Sequence, residues 1–180
     1  EYPWPDLDQA YRFDGLRERV AQLQARGLAV AAFAGSVFEQ AWYLRGLEEM
    51  MMDMVTAPER AHAVFERTAA LQRRAAEEFA RAGVDIIITG DDVAGQQGLM
   101  MSLGTWREFL KPRLAATVSA VKRTNAGAFV FYHSDGNVEP LIPELIEVGI
   151  DILNPIQPEC MDPAAIKRRY GDRLSFWGTV

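Results

Sequence analysis

The strongest constraint on the fold is a strict alternation of strand and helix patterns along the chain. Short apolar runs, rich in β-branched and aromatic residues, recur at 28–34, 84–89, 128–132, 150–153 and 174–177. Between them lie helical patterns, of which the clearest begins at Pro58 and ends before Gly83, with apolar residues every three or four positions. Buried strands joined through helices predict a parallel sheet, because right-handed crossovers place the helices against its faces.

Two α/β architectures have this alternation, the doubly wound sheet and the (β/α)8 barrel. No strand pattern is followed by G-x-G-x-x-G or G-x-x-x-x-G-K-[ST], the glycine-rich loops with which doubly wound sheets bind nucleotides. The barrel is therefore the prediction. A complete barrel has eight βα units in about 250 residues, whereas this chain has five units in 180 residues. We expect residues 1–180 to form one partial barrel domain, with no second domain.

Composition excludes several classes of partner. The net charge is −6, and the 19 basic residues are scattered, so neither nucleic acid nor an anionic membrane is expected to bind. The single cysteine, Cys160, cannot form an intrachain disulfide. No apolar run is long enough to span a bilayer, and the first residues lack the pattern of a signal peptide. A reducing, cytoplasmic setting is the expectation.

Polar residues follow the predicted strands, where the loops of a barrel form its active site. The candidates are Glu39, Asp91, Asp92, Gln96, His133, Asp135, Asn154 and Gln157. Structural roles compete with each assignment. Asp91 and Asp92 could cap backbone amides in a turn, His133 could be a core histidine, and Asp135 could cap the following helix. We predict that at least one of the two adjacent aspartates and His133 face the mouth of the barrel.

Five motifs together resemble the uroporphyrinogen decarboxylase superfamily, which includes the decarboxylases and corrinoid-dependent methyltransferases. They are Gly-Asp-Asp-Val-Ala-Gly-Gln-Gln-Gly-Leu-Met-Met-Ser at 90–102, Trp-Arg-Glu-Phe-Leu-Lys-Pro at 106–112, His-Ser-Asp-Gly at 133–136, Gly-Ile-Asp-Ile-Leu-Asn-Pro-Ile-Gln-Pro at 149–158 and Phe-Trp-Gly at 176–178. The resemblance implies that the chain is the middle of a (β/α)8 barrel of the uroporphyrinogen decarboxylase type.

For a decarboxylase, the resemblance implies a catalytic tyrosine at Tyr43, eight residues after Gly35. The arginine-rich loop and the aspartate that bind the tetrapyrrole would precede Glu1. Asp92 stands where the decarboxylases usually have serine, and a carboxylate there repels a substrate that carries eight carboxylates. Such an enzyme needs no cofactor; it would convert uroporphyrinogen III to coproporphyrinogen III in heme biosynthesis.

For a methyltransferase, the resemblance implies a zinc site made by a His-x-Cys pair and a later cysteine. His133 matches the histidine, but Asp135 replaces the cysteine and supplies a harder oxygen ligand. Two alternatives follow. Either His133 and Asp135 hold a metal without thiolates, or no metal is bound and His133, Asp135, Asp91 and Asp92 hold the methyl acceptor and manage its proton.

The leading hypothesis is a methyltransferase that moves a methyl group between a corrinoid protein and a small acceptor such as tetrahydrofolate. In it, His133, Asp91, Asp92 and Tyr43 are the catalytic candidates. The substrate-binding candidates are Glu39, Gln96, Asp135, Asn154 and Gln157. Uroporphyrinogen decarboxylation is the second hypothesis. A non-catalytic, barrel-derived binding domain is the third, since an incomplete barrel has unpaired strand edges that invite association, including with a second copy of the chain.

Overall fold

Five parallel strands form the central sheet of the computed structural model, which describes residues 2–178. Their spatial order is β1-β2-β5-β6-β7. Strands β3 and β4 pair with each other as an antiparallel hairpin beside the sheet. The strands are β1 (Ala31–Gly35), β2 (Ile86–Gly90), β3 (Ala94–Gly95), β4 (Gly98–Leu99), β5 (Phe129–His133), β6 (Ile152–Asn154) and β7 (Ser175–Phe176).

Helices connect successive strands, as the alternation predicts. They are α1 (Leu16–Gln24), α2 (Phe38–Arg45), α3 (Leu47–Thr56), α4 (Pro58–Ala82), α5 (Leu103–Phe109), α6 (Lys111–Thr124), α7 (Ile142–Val148) and α8 (Pro163–Tyr170), with 3-10 turns at Ala10–Phe13 and Glu139–Leu141. Within residues 2–178, none of the helices is both long and apolar enough to cross a membrane.

The helical pattern at 38–55 predicts one continuous helix, and this prediction is wrong. The structure divides it into α2 and α3 at Gly46, whose φ of +86° and ψ of 140° lie outside the helical region. The helical pattern at 105–124 predicts a break at Pro112, but the break falls at Leu110, between α5 and α6. Proline is tolerated in the first turn of α6, because the N–H that it lacks would have no intrahelical partner there.

The two faces of the sheet have different surroundings. On one face, Ile87, Val130 and Leu153 are completely buried beneath the helices. On the other face, Phe33 and Phe129 are 60% and 53% exposed. Strand alternation places His133 on this second face, with Phe129 and Phe131. His133 therefore lies on the more open face, at the carboxyl end of β5.

The β3–β4 hairpin is an element that the sequence patterns did not predict. Its turn is Gly95-Gln96-Gln97-Gly98, and β3 begins only four residues after β2 ends. The two-residue loop, Gln96-Gln97, lacks the glycine, asparagine or aspartate that signals a hairpin, and strands of two residues are too short to show an alternating pattern. The hairpin extends the loop after β2 alongside the loop after β5, where Asn137 donates its backbone N–H to the Gly95 carbonyl at 2.8 Å.

Candidate active site

The candidate site lies at the carboxyl ends of β2, β5 and β6. Gly90 of β2 is in register with His133 of β5, and His133 is in register with Asn154 of β6. Parallel strands end at the same edge of a sheet, so the loops that follow these three positions begin side by side. This arrangement brings residues separated by more than 40 positions in the chain into one place.

Three of the predicted residues form a cluster, Asp92, His133 and Asp135. Each offers one ligand atom, and these atoms all lie within 4.8 Å of one another. His133 Nε2 is 3.7 Å from Asp92 Oδ1, and the same oxygen accepts a 2.8 Å hydrogen bond from the Asp135 backbone N–H. The side chains of His133 and Asp92 are 40% and 33% exposed, so a ligand can reach them.

Two amide side chains hold this cluster from the next strand and its loop. Asn154 Oδ1 lies 2.7 Å from His133 Nδ1. Gln157 accepts the Gly136 N–H at 2.7 Å, and its amide nitrogen lies 3.4 Å from Asp135 Oδ1. Both amides are predicted to bind substrate; in the structure Asn154 is hydrogen-bonded to His133, and Gln157 is hydrogen-bonded to the loop after β5.

Two glycines allow the loops to approach each other so closely. A Cβ on Gly90 would lie 2.3 Å from the His133 carbonyl oxygen. A Cβ on Gly136, where φ is +85°, would lie 2.6 Å from the carbonyl oxygens of Ala94 and Gly95. Neither distance is possible for a real Cβ, so both positions require glycine. The sequence patterns predict no role for these glycines, although both lie in the motifs that carry the family resemblance.

Glu39 adds a further carboxyl group near the cluster from the first turn of α2. Burial, followed by the charge of Asp92, raises the pKa of Glu39 above its usual range. Asp135 acts in the same direction, whereas His133 and a hydrogen bond from Ser36 act in the opposite one. The site therefore has a negative potential. Among the ion pairs of residues 2–178, no lysine or arginine is paired with Glu39, Asp92 or Asp135.

Asp91 does not join the cluster. Its carboxylate is buried and accepts hydrogen bonds from the backbone N–H groups of Phe38 at 2.5 Å and Glu39 at 3.2 Å. Burial raises the pKa of Asp91 well above its usual range, and these N–H donors offset part of the rise. The geometry is that of a carboxylate that holds the N-terminus of α2 against the end of β2, which is the capping alternative.

Tyr43 and Gln96 are both exposed, and neither is among the residues that form the three-residue cluster. Tyr43 is 74% exposed on α2 and lines a cleft of about 380 Å³. The other lining residues come from the N-terminal segment, β1, α2 and α4, and none belongs to the cluster. Gln96 is exposed in the hairpin turn. The roles predicted for these two residues remain predictions.

Chemically, the cluster combines one imidazole nitrogen with two carboxylates on an accessible surface. Such a set can take up a proton from a bound ligand or hold a divalent cation, because imidazole and carboxylate serve both purposes. Its negative potential favours neutral or cationic ligands over polyanions.

Comparison with known proteins agrees with the fold. The family model of uroporphyrinogen decarboxylase (URO-D) matches residues 5–180. A solved structure of a methyltransferase from Methanosarcina mazei is similar, with a TM-score of 0.76 and 20% sequence identity. The match covers 99% of this chain and 55% of that chain, so this chain spans about half the length of the solved protein. No curated protein matches.

These findings confirm the prediction of a partial (β/α)8 barrel, with five parallel strands in sequential order and helices between them. They also confirm the family resemblance that was carried by the five motifs. Because the family model spans nearly the whole sequence, the chain belongs to the uroporphyrinogen decarboxylase family.

Proposed function

We propose that this protein is a methyltransferase that moves a methyl group between a corrinoid carried by a partner protein and a small acceptor. The observation that carries the proposal is the accessible cluster of Asp92, His133 and Asp135 at the strand ends. The similar fold of the Methanosarcina mazei methyltransferase is consistent with it.

Electrostatics favours this activity over one that acts on a polyanion. Two like charges 4 Å apart repel by about 4 kcal/mol at an effective dielectric constant near 20. A tetrapyrrole carboxylate beside Asp92 or Asp135 would meet such repulsion. A neutral acceptor with a dissociable proton, such as a thiol or an N–H group, would meet none and would place its proton next to a base.

The residues of the chain would manage that proton. A corrinoid bound beside these residues would supply the methyl group and would keep the electron pair of the bond that breaks. As the acceptor gains the methyl group, its proton passes to the ring nitrogen of His133 or to the carboxylate of Asp92, which lie 3.7 Å apart. Asp135 then balances the positive charge that develops on the imidazole.

The same three residues have a donor set that fits a divalent metal. Zinc binds histidine nitrogen and carboxylate oxygen at about 2.0–2.2 Å, and harder ions also accept this combination. A metal held by Asp92, His133 and Asp135 would lower the pKa of a bound acceptor. The thiolate set of the zinc-dependent relatives is not reproduced, because Asp135 occupies the position of the cysteine.

The test uses the full-length protein, methylcobalamin and a panel of thiols and tetrahydrofolate, with demethylation followed in the corrinoid spectrum. We expect turnover with at least one acceptor, and a loss of about 10²-fold or more in His133→Ala and Asp92→Asn. His62→Ala is the matched control, because His62 stacks on Phe109 at 4.5 Å, away from the cluster. The proposal would be refuted if the folded protein failed to demethylate methylcobalamin with every acceptor in the panel. Metal analysis of the same preparations separates the metal-bound from the metal-free alternative.

Uroporphyrinogen decarboxylation is the second candidate, favoured by the description of the family model that the chain matches. Its test is the conversion of uroporphyrinogen III to coproporphyrinogen III by the same preparations. Conversion that requires Tyr43 but tolerates His133→Ala would select this function. If fully folded protein shows neither methyl transfer nor decarboxylation, the result would favour a non-catalytic binding domain.

A further inference from the structure

Asn154 connects His133 to the backbone of Trp177, the residue that follows β7. The residue ends β6, in register with His133 at the end of β5. Its side-chain oxygen is 2.7 Å from His133 Nδ1, and its side-chain nitrogen is 2.6 Å from the carbonyl oxygen of Trp177. One amide group is thus held between a ring nitrogen and a backbone carbonyl.

The partners of this amide determine its orientation. A backbone carbonyl oxygen can only accept hydrogen bonds, so the NH2 end of Asn154 must face Trp177. The reversed amide would bring two oxygen atoms to 2.6 Å with no proton between them. The oxygen of Asn154 therefore faces His133, and because this oxygen also only accepts, Nδ1 of the ring must carry the proton.

We propose that Asn154 is a positioning residue that selects the Nδ1–H tautomer of neutral His133 and leaves Nε2 with a free electron pair. Nε2 is the ring atom that lies 3.7 Å from Asp92 Oδ1. The tautomer thus directs three electron-pair donors, from His133, Asp92 and Asp135, toward one another. That arrangement accepts a proton or a cation and would be lost if Nε2 carried the proton.

This assignment replaces the substrate-binding role that sequence analysis gave to Asn154. Its oxygen is used by His133 and its nitrogen by Trp177, so the amide acts through the histidine. The inference is independent of the reaction, because it concerns the state of the ring in the resting protein. It would stand even if the methyltransferase proposal failed.

The test is nitrogen NMR of protein labelled with 15N-histidine, recorded at increasing pH until the His133 signals stop changing, so that the neutral ring is observed. Signals that disappear in His133→Gln identify the ring. EDTA is present throughout, because a metal on Nε2 would impose the same tautomer. We expect a protonated Nδ1 and an unprotonated Nε2 in the wild type. Asn154→Leu should shift the tautomer ratio by about tenfold toward Nε2–H, the effect of losing one hydrogen bond.

Asn154→Asp is the conservative variant. It keeps an oxygen acceptor toward Nδ1 and should keep the Nδ1–H form, although it loses the bond to Trp177 and should unfold at a lower temperature. Asn125→Ala, which removes an amide at the end of α6, is the control and should leave the His133 signals unchanged.

A wild-type ring protonated mainly at Nε2 would overturn the proposal. So would an Asn154→Leu protein whose tautomer ratio equals that of the wild type. If Asn154→Leu does not fold, the wild-type tautomer and the Asn154→Asp spectrum decide the question, since loss of the Nδ1–H form in Asn154→Asp would also contradict the mechanism.

Discussion

Asp91 provides the most discriminating test, because two roles for it predict opposite outcomes. From the sequence it is a catalytic candidate, whereas in the structure Asp91 Oδ1 accepts hydrogen bonds from the backbone N–H groups of Phe38 and Glu39 at the start of α2. Asp91→Ala removes the acceptor. Asp91→Asn keeps a side-chain oxygen in the same place but removes the charge and the capacity to exchange a proton. The two variants therefore separate support of α2 from proton transfer.

The expected magnitude follows from these contacts. A hydrogen bond to a charged group contributes about 1.5–3 kcal/mol, and Asp91 accepts two. Burial of the carboxylate, which raises its pKa, offsets part of that contribution. We expect Asp91→Ala to lower the free energy of unfolding by ~2–4 kcal/mol, since it also leaves buried amides unpaired. Asp91→Asn should change the free energy of unfolding by less than about 1 kcal/mol, because the uncharged amide keeps an oxygen acceptor without the cost of burying a charge.

The assay is urea unfolding followed by tryptophan fluorescence, together with thermal melts, in which Asp91→Ala should melt roughly 4–16 °C lower. Methyl transfer is measured in parallel, and Asp91→Asn should retain it within about tenfold. Asp92→Asn is the matched control, since Asp92 is the adjacent residue and its own carboxylate belongs to the cluster. Equal destabilisation by Asp91→Asn and Asp91→Ala would refute the capping argument. Loss of turnover in a fully stable Asp91→Asn protein would restore the catalytic role.

Three further predictions concern other parts of the fold. Arg107 and Lys111 lower the pKa of Glu144 to about 2; this stabilisation is complete above the ordinary pKa of 4.5 and is lost as the pH falls toward 2. Glu144→Gln should therefore lower the free energy of unfolding by ~1–2 kcal/mol at neutral pH and make this free energy less dependent on pH in acid, as measured by urea titrations. An unchanged pH dependence would contradict this. Gly136→Ala should cost ~1–3 kcal/mol in thermal melts through its positive φ and its contact with the hairpin, whereas a wild-type melting temperature would show that the loop can move aside. If a metal is bound, Asp92→Asn should lower its affinity by at least about tenfold in metal titrations, and unchanged affinity would remove Asp92 from the ligand set.

Much of the fold could be predicted because it depends on local patterns. A proline at the start and a glycine after the end predict helices at 58–82 and 163–170, and α4 and α8 have these bounds. The strand boundaries were less accurate. The pattern placed the first strand at 28–34, whereas β1 spans Ala31–Gly35, because strand limits depend on where a neighbouring strand offers hydrogen bonds.

The grouping of Asp92, His133 and Asp135 could also be predicted, because parallel strands bring their carboxyl ends to one edge. The separation of Asp91 from Asp92 could not. Asp91 bonds to residues of α2 more than 50 positions earlier, and Asp92 bonds to Asp135, 43 positions later. Nothing in the local sequence of two adjacent aspartates distinguishes these partners.

The sequence by itself determined the alternation of strands and helices, the parallel sheet and the edge at which polar residues collect, because hydrophobic periodicity and chain turns are local properties. Tertiary structure alone decided which partners each polar group has there. It set the Asp91 carboxylate against a backbone N–H at the start of α2, oriented the Asn154 amide toward His133 and placed Tyr43 in a cleft that no residue of the cluster lines. Whether a hydrogen bond forms depends on differences of a few tenths of an ångström in the distance between donor and acceptor. When these belong to segments far apart in the chain, only the packed chain defines that distance.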